Sequence, residues 1–228
     1  MTGKVVTIAL LGTESTGKTA LATALTAALS ARSLPATAVT EWLREWCEHH
    51  GRTPRPEEQT AIADRQTERV AEAVAQLAAA HSAATVHVVA DTTALMTAIY
   101  SDWLFGDVSL YPSAVAAQRA FTHTLVTGLD LPWVADGLQR DGPQVREPID
   151  ALLRRRLAEA GVPFKVVYGS GRERLDNALR ALGLAPEDQV AALPDPAGAP
   201  WVWRCDKCSD PACEHRLFSR LGVGLRTG

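Results

Sequence analysis

Near its N-terminus the chain reads Gly12-Thr13-Glu14-Ser15-Thr16-Gly17-Lys18-Thr19, and few octapeptides restrict a fold as strongly. The string fits G-x-x-x-x-G-K-[ST], and its flanks fit too. Val5 to Leu11 is apolar and β-prone, and Ala20 to Leu25 opens a helical pattern. A strand running through such a loop into a helix aims successive backbone N–H groups at one cluster of phosphate oxygens, because glycine permits the tight bend. The helix brings the positive end of its dipole to the same place. The expectation is a nucleoside triphosphate site. Gly12 through Thr19 cradle the phosphates of the nucleotide, Lys18 reaches the β- and γ-phosphates, and the Thr19 hydroxyl ligates Mg²⁺.

The rest of the sequence suits one α/β domain with a small appendage: 228 residues can bury a real core. A formal net charge of −3 supplies no basic field, so nucleic acid is not an expected partner. The apolar run before the loop stops at Gly12 and reads as a strand, not a secretory leader. No apolar stretch is long enough for a membrane span, and the expected compartment is the cytoplasm.

A helix is expected after the loop as far as Ser33, and Ala36 to Thr40 reads as a second strand. Glu41 to His50 follows, charged and aromatic, at the strand end that faces the ligand in doubly wound sheets. Arg44 and Glu45 are therefore candidate substrate contacts, and Trp42 and Trp46, spaced i and i+4, either share one face of a site or pack in the core. A long helix spans about Glu57 to His81, and Thr85 to Ala90 is a buried strand ending in Asp91. A carboxylate at the tip of such a strand, downstream of the phosphate loop, is placed to hold Mg²⁺ with Thr19. His87 fits the strand's core pattern. Thr92 to Tyr100 reads as a helix and Ser101 to Pro112 as a loop, whose Trp103, Phe105 and Tyr111 either line a pocket or simply pack. A strand over Thr122 to Gly128 precedes a glycine-hinged segment, Leu131 to Pro143, beyond which lie Arg146 and Arg154-Arg155-Arg156. A mobile flap bearing arginines would cover phosphates, exclude water and neutralise developing charge. A fifth strand, Phe164 to Gly169, and a closing helix to Leu182 complete a three-layer α/β sandwich around a mainly parallel five-stranded sheet.

In the order of its parts the chain resembles the ribosylnicotinamide kinase domain of NadR-type proteins, within the P-loop NTPase kinases. The resemblance rests on Gly12 to Thr19 with its internal glutamate, Glu41-x-x-Arg44-Glu45, Asp91-Thr92, Trp133-Val134-x-Asp136-Gly137-Leu138 and Val162-Pro163-Phe164, and it covers about Val5 to Leu182. It implies ATP-dependent phosphorylation of the 5′-hydroxyl of nicotinamide riboside to nicotinamide mononucleotide. Thr19 and Asp91 would then place Mg²⁺, Arg44 and Glu45 approach the acceptor, Arg140 or Arg146 cover the phosphates, and Asp91 or Glu41 act as base. Family members usually carry an adenylyltransferase domain ahead of the kinase part, whereas this sequence opens at the kinase part's first strand. Two further departures fall on the acceptor side. Thr93 stands where relatives place a second acid for a ribose, and Thr40 where an aromatic residue is common. Another nucleoside or small alcohol is therefore the alternative acceptor.

Residues 1–190 are expected to form the kinase domain, and 191–228 a linker and tail. Cys205, Cys208, Cys213 and His215 could form a tetrahedral set for structural Zn²⁺; an iron–sulfur or redox role, or reduced cysteines in a packed tail, are the alternatives. The tail is also a candidate docking point for a protein partner, which leaves an ATP-driven regulatory switch as a competing function.

Overall fold

The computed structural model describes residues 3–134 and 142–185. Arg140, Asp136, Gly137, Leu138 and the tail with Cys205, Cys208, Cys213 and His215 lie outside the described residues.

Five parallel strands form one sheet in the order β2-β3-β1-β4-β5: β1 (Val5–Leu11), β2 (Ala36–Val39), β3 (Val86–Asp91), β4 (His123–Thr127) and β5 (Lys165–Val167). Among the described residues seven α-helices connect and follow them: α1 (Lys18–Ala31), α2 (Trp42–His50), α3 (Gln59–Ala80), α4 (Ala94–Phe105), α5 (Tyr111–Arg119), α6 (Arg146–Glu159) and α7 (Gly171–Ala181). The two-residue period of the central strand divides the core. Ile8 and Leu10 pack with Leu21, Leu25 and Leu29 of α1 and with Ala178 and Leu179 of α7. Ala9 and Leu11 pack on the opposite face with Leu95 and Ile99 of α4 and with Ile149 and Leu153 of α6. A sheet buried on both faces needs near-continuous apolar strands, and β3 is buried from Val86 to Asp91. The α/β sandwich expected from the sequence is present.

Two local expectations change. Glu41 to His50 was expected only as a strand-end segment, yet Trp42 to His50 is helical, closed by Gly51 at φ 64°. The loop expected from Ser101 to Pro112 is shorter: α4 runs on to Phe105 and stops at Gly106, φ 67°, in the left-handed conformation that glycine takes cheaply at a helix end. Tyr111 therefore begins α5. Its hydroxyl donates to Asp102, its ring lies under the Arg156 guanidinium at 4.4 Å, and burial together with the Asp102 carboxylate pushes its phenol up to about 12. Of the arginine triplet only Arg155 stays out in solvent; Arg154 binds Asp150 at 2.7 Å and Arg156 binds Asp102 at 3.0 Å.

Leu10 of β1 is in register with Asp91 of β3. The phosphate loop leaving β1 and the carboxylate ending β3 thus emerge side by side at one edge of the sheet. No described helix is long and apolar enough to cross a membrane.

Candidate active site

Gly17, at φ 75°, turns the chain into α1, and no side chain caps the first turn of that helix. Its leading N–H groups point out of the helix end with no intrahelical acceptor, the arrangement that binds an anion. Gly12 takes φ 149°, and a Cβ built there would lie 2.1 Å from the Thr127 hydroxyl oxygen. Here the bend and the close approach both require glycine. The Lys18 ammonium donates to the Gly12 and Thr13 carbonyls at 3.0 and 2.9 Å, which holds it over the loop.

The loop is braced from elsewhere in the fold. The Thr127 hydroxyl donates to that of Thr16 at 2.7 Å, and Thr16 donates to the Thr13 carbonyl at 2.7 Å. Arg174 of α7, 3 % exposed, donates to the Thr16 carbonyl, to Gly169 at 2.7 Å and to Asp130 at 2.5 Å. Trp133 Nε1 donates to the Glu14 carboxylate at 3.2 Å, and the Val134 amide donates to the Ser15 hydroxyl at 3.0 Å. Arg174 and Thr127 were not anticipated from sequence. The signal for Arg174 is its i, i−4 spacing from Ala178, which is fully buried, so this charge sits on the apolar stripe of α7.

The Thr19 hydroxyl donates to Asp91 Oδ2 at 2.5 Å. Asp91 is 3 % exposed, and its Oδ1 is buried with no hydrogen-bond partner among the described residues. A hydroxyl beside a carboxylate that still has an oxygen to satisfy is a donor set suited to magnesium or to a water on it. The next residue, Thr92, holds φ 77° although it is β-branched, and its buried hydroxyl also has no partner among the described residues. Backbone strain of this kind persists only where the surrounding structure enforces it.

Loop, helix start and Thr92 open onto one cavity of about 950 Å³. Gly12, Glu14, Ser15, Thr16, Gly17, Lys18 and Thr19 line one part of it, Glu41, Leu43, Arg44, Cys47, Arg52 and Arg55 another, and Met96, Tyr100, Leu104 and Phe105 an apolar wall. Burial pushes the Cys47 thiol up, so it meets the cavity as a neutral, uncharged group.

The other predicted residues fall elsewhere. Thr13 is fully buried behind the loop and serves through its carbonyl. Glu41, just ahead of α2, lines the cavity, and on α2 Leu43, Arg44 and Cys47 share the cavity face, which turns Trp42 and Glu45 away by helical geometry. Trp42 packs under the Arg69 guanidinium at 5.4 Å. Glu45 accepts from Thr40 at 2.6 Å and from Arg69 at 2.8 Å, contacts that hold its carboxyl below the usual range. Thr93 caps α4 and donates to Gln118 at 2.7 Å, so its hydroxyl is already engaged. Arg146 is 8 % exposed, reaches the Leu129 carbonyl and does not line the cavity. Of the trio Trp103, Phe105 and Tyr111, only Phe105 does. Among the described residues no group of three or more His, Cys, Asp or Glu side chains could hold a metal.

No curated protein matches the chain in sequence. Among solved structures, the NadR protein in complex with NAD and AMP-PNP shares the fold at a TM-score of 0.55 and 19 % identity, over 81 % of this chain and 51 % of that one. NadR in complex with NR does so at a TM-score of 0.60 and 20 % identity, over 81 % of this chain and 52 % of that one. The chain thus spans about half the length of those NadR chains, and the likeness is one of fold. The AAA domain family matches residues 7–174, a stretch that takes in the phosphate loop, Asp91, the lining face of α2 and Arg174. By that match the chain belongs to the AAA domain family.

Proposed function

We propose that this chain is an ATP-dependent phosphotransferase acting on a small, nucleoside-like hydroxyl, with nicotinamide riboside as the first acceptor to test. The observation that carries this is the single cavity in which a phosphate loop faces side chains suited to a second substrate. Its volume lies at the upper end of the range for one drug-sized ligand, and a pure hydrolase has no need of the added wall. Nicotinamide riboside enters through the fold shared with NadR, which has been solved with NAD, AMP-PNP and NR.

In this reading the amides of Gly12 to Thr19 and the Lys18 ammonium hold the β- and γ-phosphates. Thr19 and Asp91 would hold magnesium, which when bound neutralises charge on those phosphates. The acceptor oxygen forms a bond to the γ-phosphorus as the bond from that phosphorus to the β–γ bridging oxygen breaks. ADP departs with the electron pair, and the hydroxyl proton passes to a carboxylate. Glu41 is the better base of the two considered, since it lines the cavity and Asp91 does not.

The test is ATP consumption against a nucleoside panel that includes nicotinamide riboside, with product mass. Hydrolysis alone, with no phosphorylated product from any acceptor, sinks the proposal. Lys18→Ala should lower transfer by about 100-fold or more, since it removes the charge that meets the phosphates; unchanged turnover would place the chemistry elsewhere. For residues 191–228 we retain zinc at Cys205, Cys208, Cys213 and His215 as a proposal. Metal analysis of protein purified without chelator should find about one zinc per chain, and none would remove it.

A further inference from the structure

We infer that the acceptor carries an anionic group of its own, a carboxylate or a phosphate monoester, gripped by Arg52 and Arg55 at the wall built by α2 and the loop after it. This rests on the phosphotransferase reading and narrows its acceptor. Nicotinamide riboside, by contrast, carries a fixed positive charge on its ring and no oxyanion.

The lining sets four cations, Lys18, Arg44, Arg52 and Arg55, against two carboxylates, Glu14 and Glu41. Glu41 pairs with Arg44 one turn along, and the Glu14 carboxylate is turned to the Trp133 indole N–H on the phosphate-loop side. Lys18 sits on the phosphate loop and is claimed by the donor, and Arg52 is paired with Glu58 behind the wall, which leaves Arg55 as the guanidinium with no ion-pair partner among the described residues. Arg52 is held in place rather than merely neutralised. Glu58, which does not line the cavity, takes it end-on at 2.7 and 2.6 Å, Thr53 takes one more N–H at 3.0 Å, and the guanidinium lies 4.9 Å from the Trp46 ring centre. Those contacts use three of its five donors. The remaining two, on Nε and Nη2, form the side-on fork that matches the two oxygens of a carboxylate or phosphate. The Arg55 guanidinium has no ion-pair partner among the described residues and stands exposed beside it. An oriented fork and an exposed guanidinium beside it on the acceptor wall would favour an oxyanion over its neutral counterpart. The apolar wall of Met96, Leu104 and Phe105 suits the flat remainder of such a molecule.

Binding separates this from the chemistry. Calorimetry with the donor site saturated by AMP-PNP and Mg²⁺ compares two pairs: nicotinate riboside against nicotinamide riboside for a carboxylate, and uridine 5′-monophosphate against uridine for a phosphate. In at least one pair the anionic member should bind about tenfold more tightly. Arg55→Gln and, independently, Arg52→Gln should each remove most of that preference while the neutral member and AMP-PNP keep their affinities within about twofold. Equal binding within both pairs overturns the inference. So does a preference that survives both substitutions, or a loss that falls on AMP-PNP instead, which would assign these arginines to the donor. If the anionic member binds as described but ATP yields no phosphorylated product, the inference stands and the phosphotransferase reading fails.

Discussion

Thr92 shows how one residue can be stressed for a site. A β-branched side chain at φ 77° carries strain of about 1–3 kcal/mol, and its buried hydroxyl adds the cost of an unsatisfied polar group. Thr92→Gly removes both, offset in part by the extra freedom glycine gains in the unfolded chain. The variant should be more stable by about 1 kcal/mol in urea unfolding, while its transfer rate falls by about tenfold because the backbone next to Asp91, at the cavity lining, is held less rigidly. A variant both less stable and fully active would show that the strain serves packing alone. In the sequence Asp91-Thr92 was legible as a strand-end pair, because the apolar run before it announces a buried strand. The dihedral was not. Threonine has no local preference for that conformation, and its backbone is tied from distant parts of the chain, the amide donating to the Leu10 carbonyl at 3.1 Å and the carbonyl accepting from Gln66 at 3.5 Å.

At the level of an element, α2 divides its residues between two opposed faces, and the division corrects the expected substrate set. Trp42→Ala removes the ring beneath Arg69 and should lower stability by about 1–2 kcal/mol, with the acceptor KM moving by less than about twofold. A large rise in that KM without loss of stability would return Trp42 to the site. Recognising a helix from Trp42 to His50 would have sorted Arg44 from Glu45 on paper, since 100° per residue gathers Leu43, Arg44 and Cys47 within about 100° of arc and leaves Glu45 outside it. Two tryptophans and two histidines in nine positions hide that helix from propensity, although Gly51 stands where it closes. The segment after α2 has its own pH signature. Arg52 and the Arg55 amide together hold the Glu58 carboxyl down to about 2, against an ordinary 4.5. A folded-state value below the unfolded one means the contact stabilises the fold above about pH 4.5 and fades as pH falls toward about 2. The urea midpoint of the wild type should thus exceed that of Glu58→Gln at neutral pH, the two converging only as pH falls to about 2. A gap that persists in acid would mean that Glu58 acts through packing and not through its charge.

Across the whole molecule, the site is a local motif completed by distant partners. Eight consecutive residues announce the phosphate loop, and alternating apolar runs announce the sheet, so both were legible. The braces were not: Thr127, Trp133 and Arg174 meet Thr16, Glu14 and Thr16 across 111, 119 and 158 residues of sequence, and only the strand order 2-3-1-4-5 brings them together. Because the cavity exists only in the folded chain, a nucleotide that fills it must stabilise the whole domain by mass action. AMP-PNP with Mg²⁺ at about 100 times its Kd should raise the unfolding free energy by about 2.7 kcal/mol, and Lys18→Ala should bring that increment near zero at the same concentration. Arg174→Met separates the loop's shape from the stability of the fold. Without ligand it should cost about 3 kcal/mol, the lower end for a broken buried pair, since Asp130 keeps 30 % of its side chain exposed and can be hydrated. If the arginine also sets the carbonyl of Thr16, and with it the direction of the loop's amides, the nucleotide increment shrinks as well. Arg174→Lys would then recover much of the unliganded stability but little of the increment, because an ammonium cannot serve Thr16, Gly169 and Asp130 in one plane. An increment in Arg174→Met equal to that of the wild type would confine Arg174 to holding α7 against the sheet and leave the loop to shape itself.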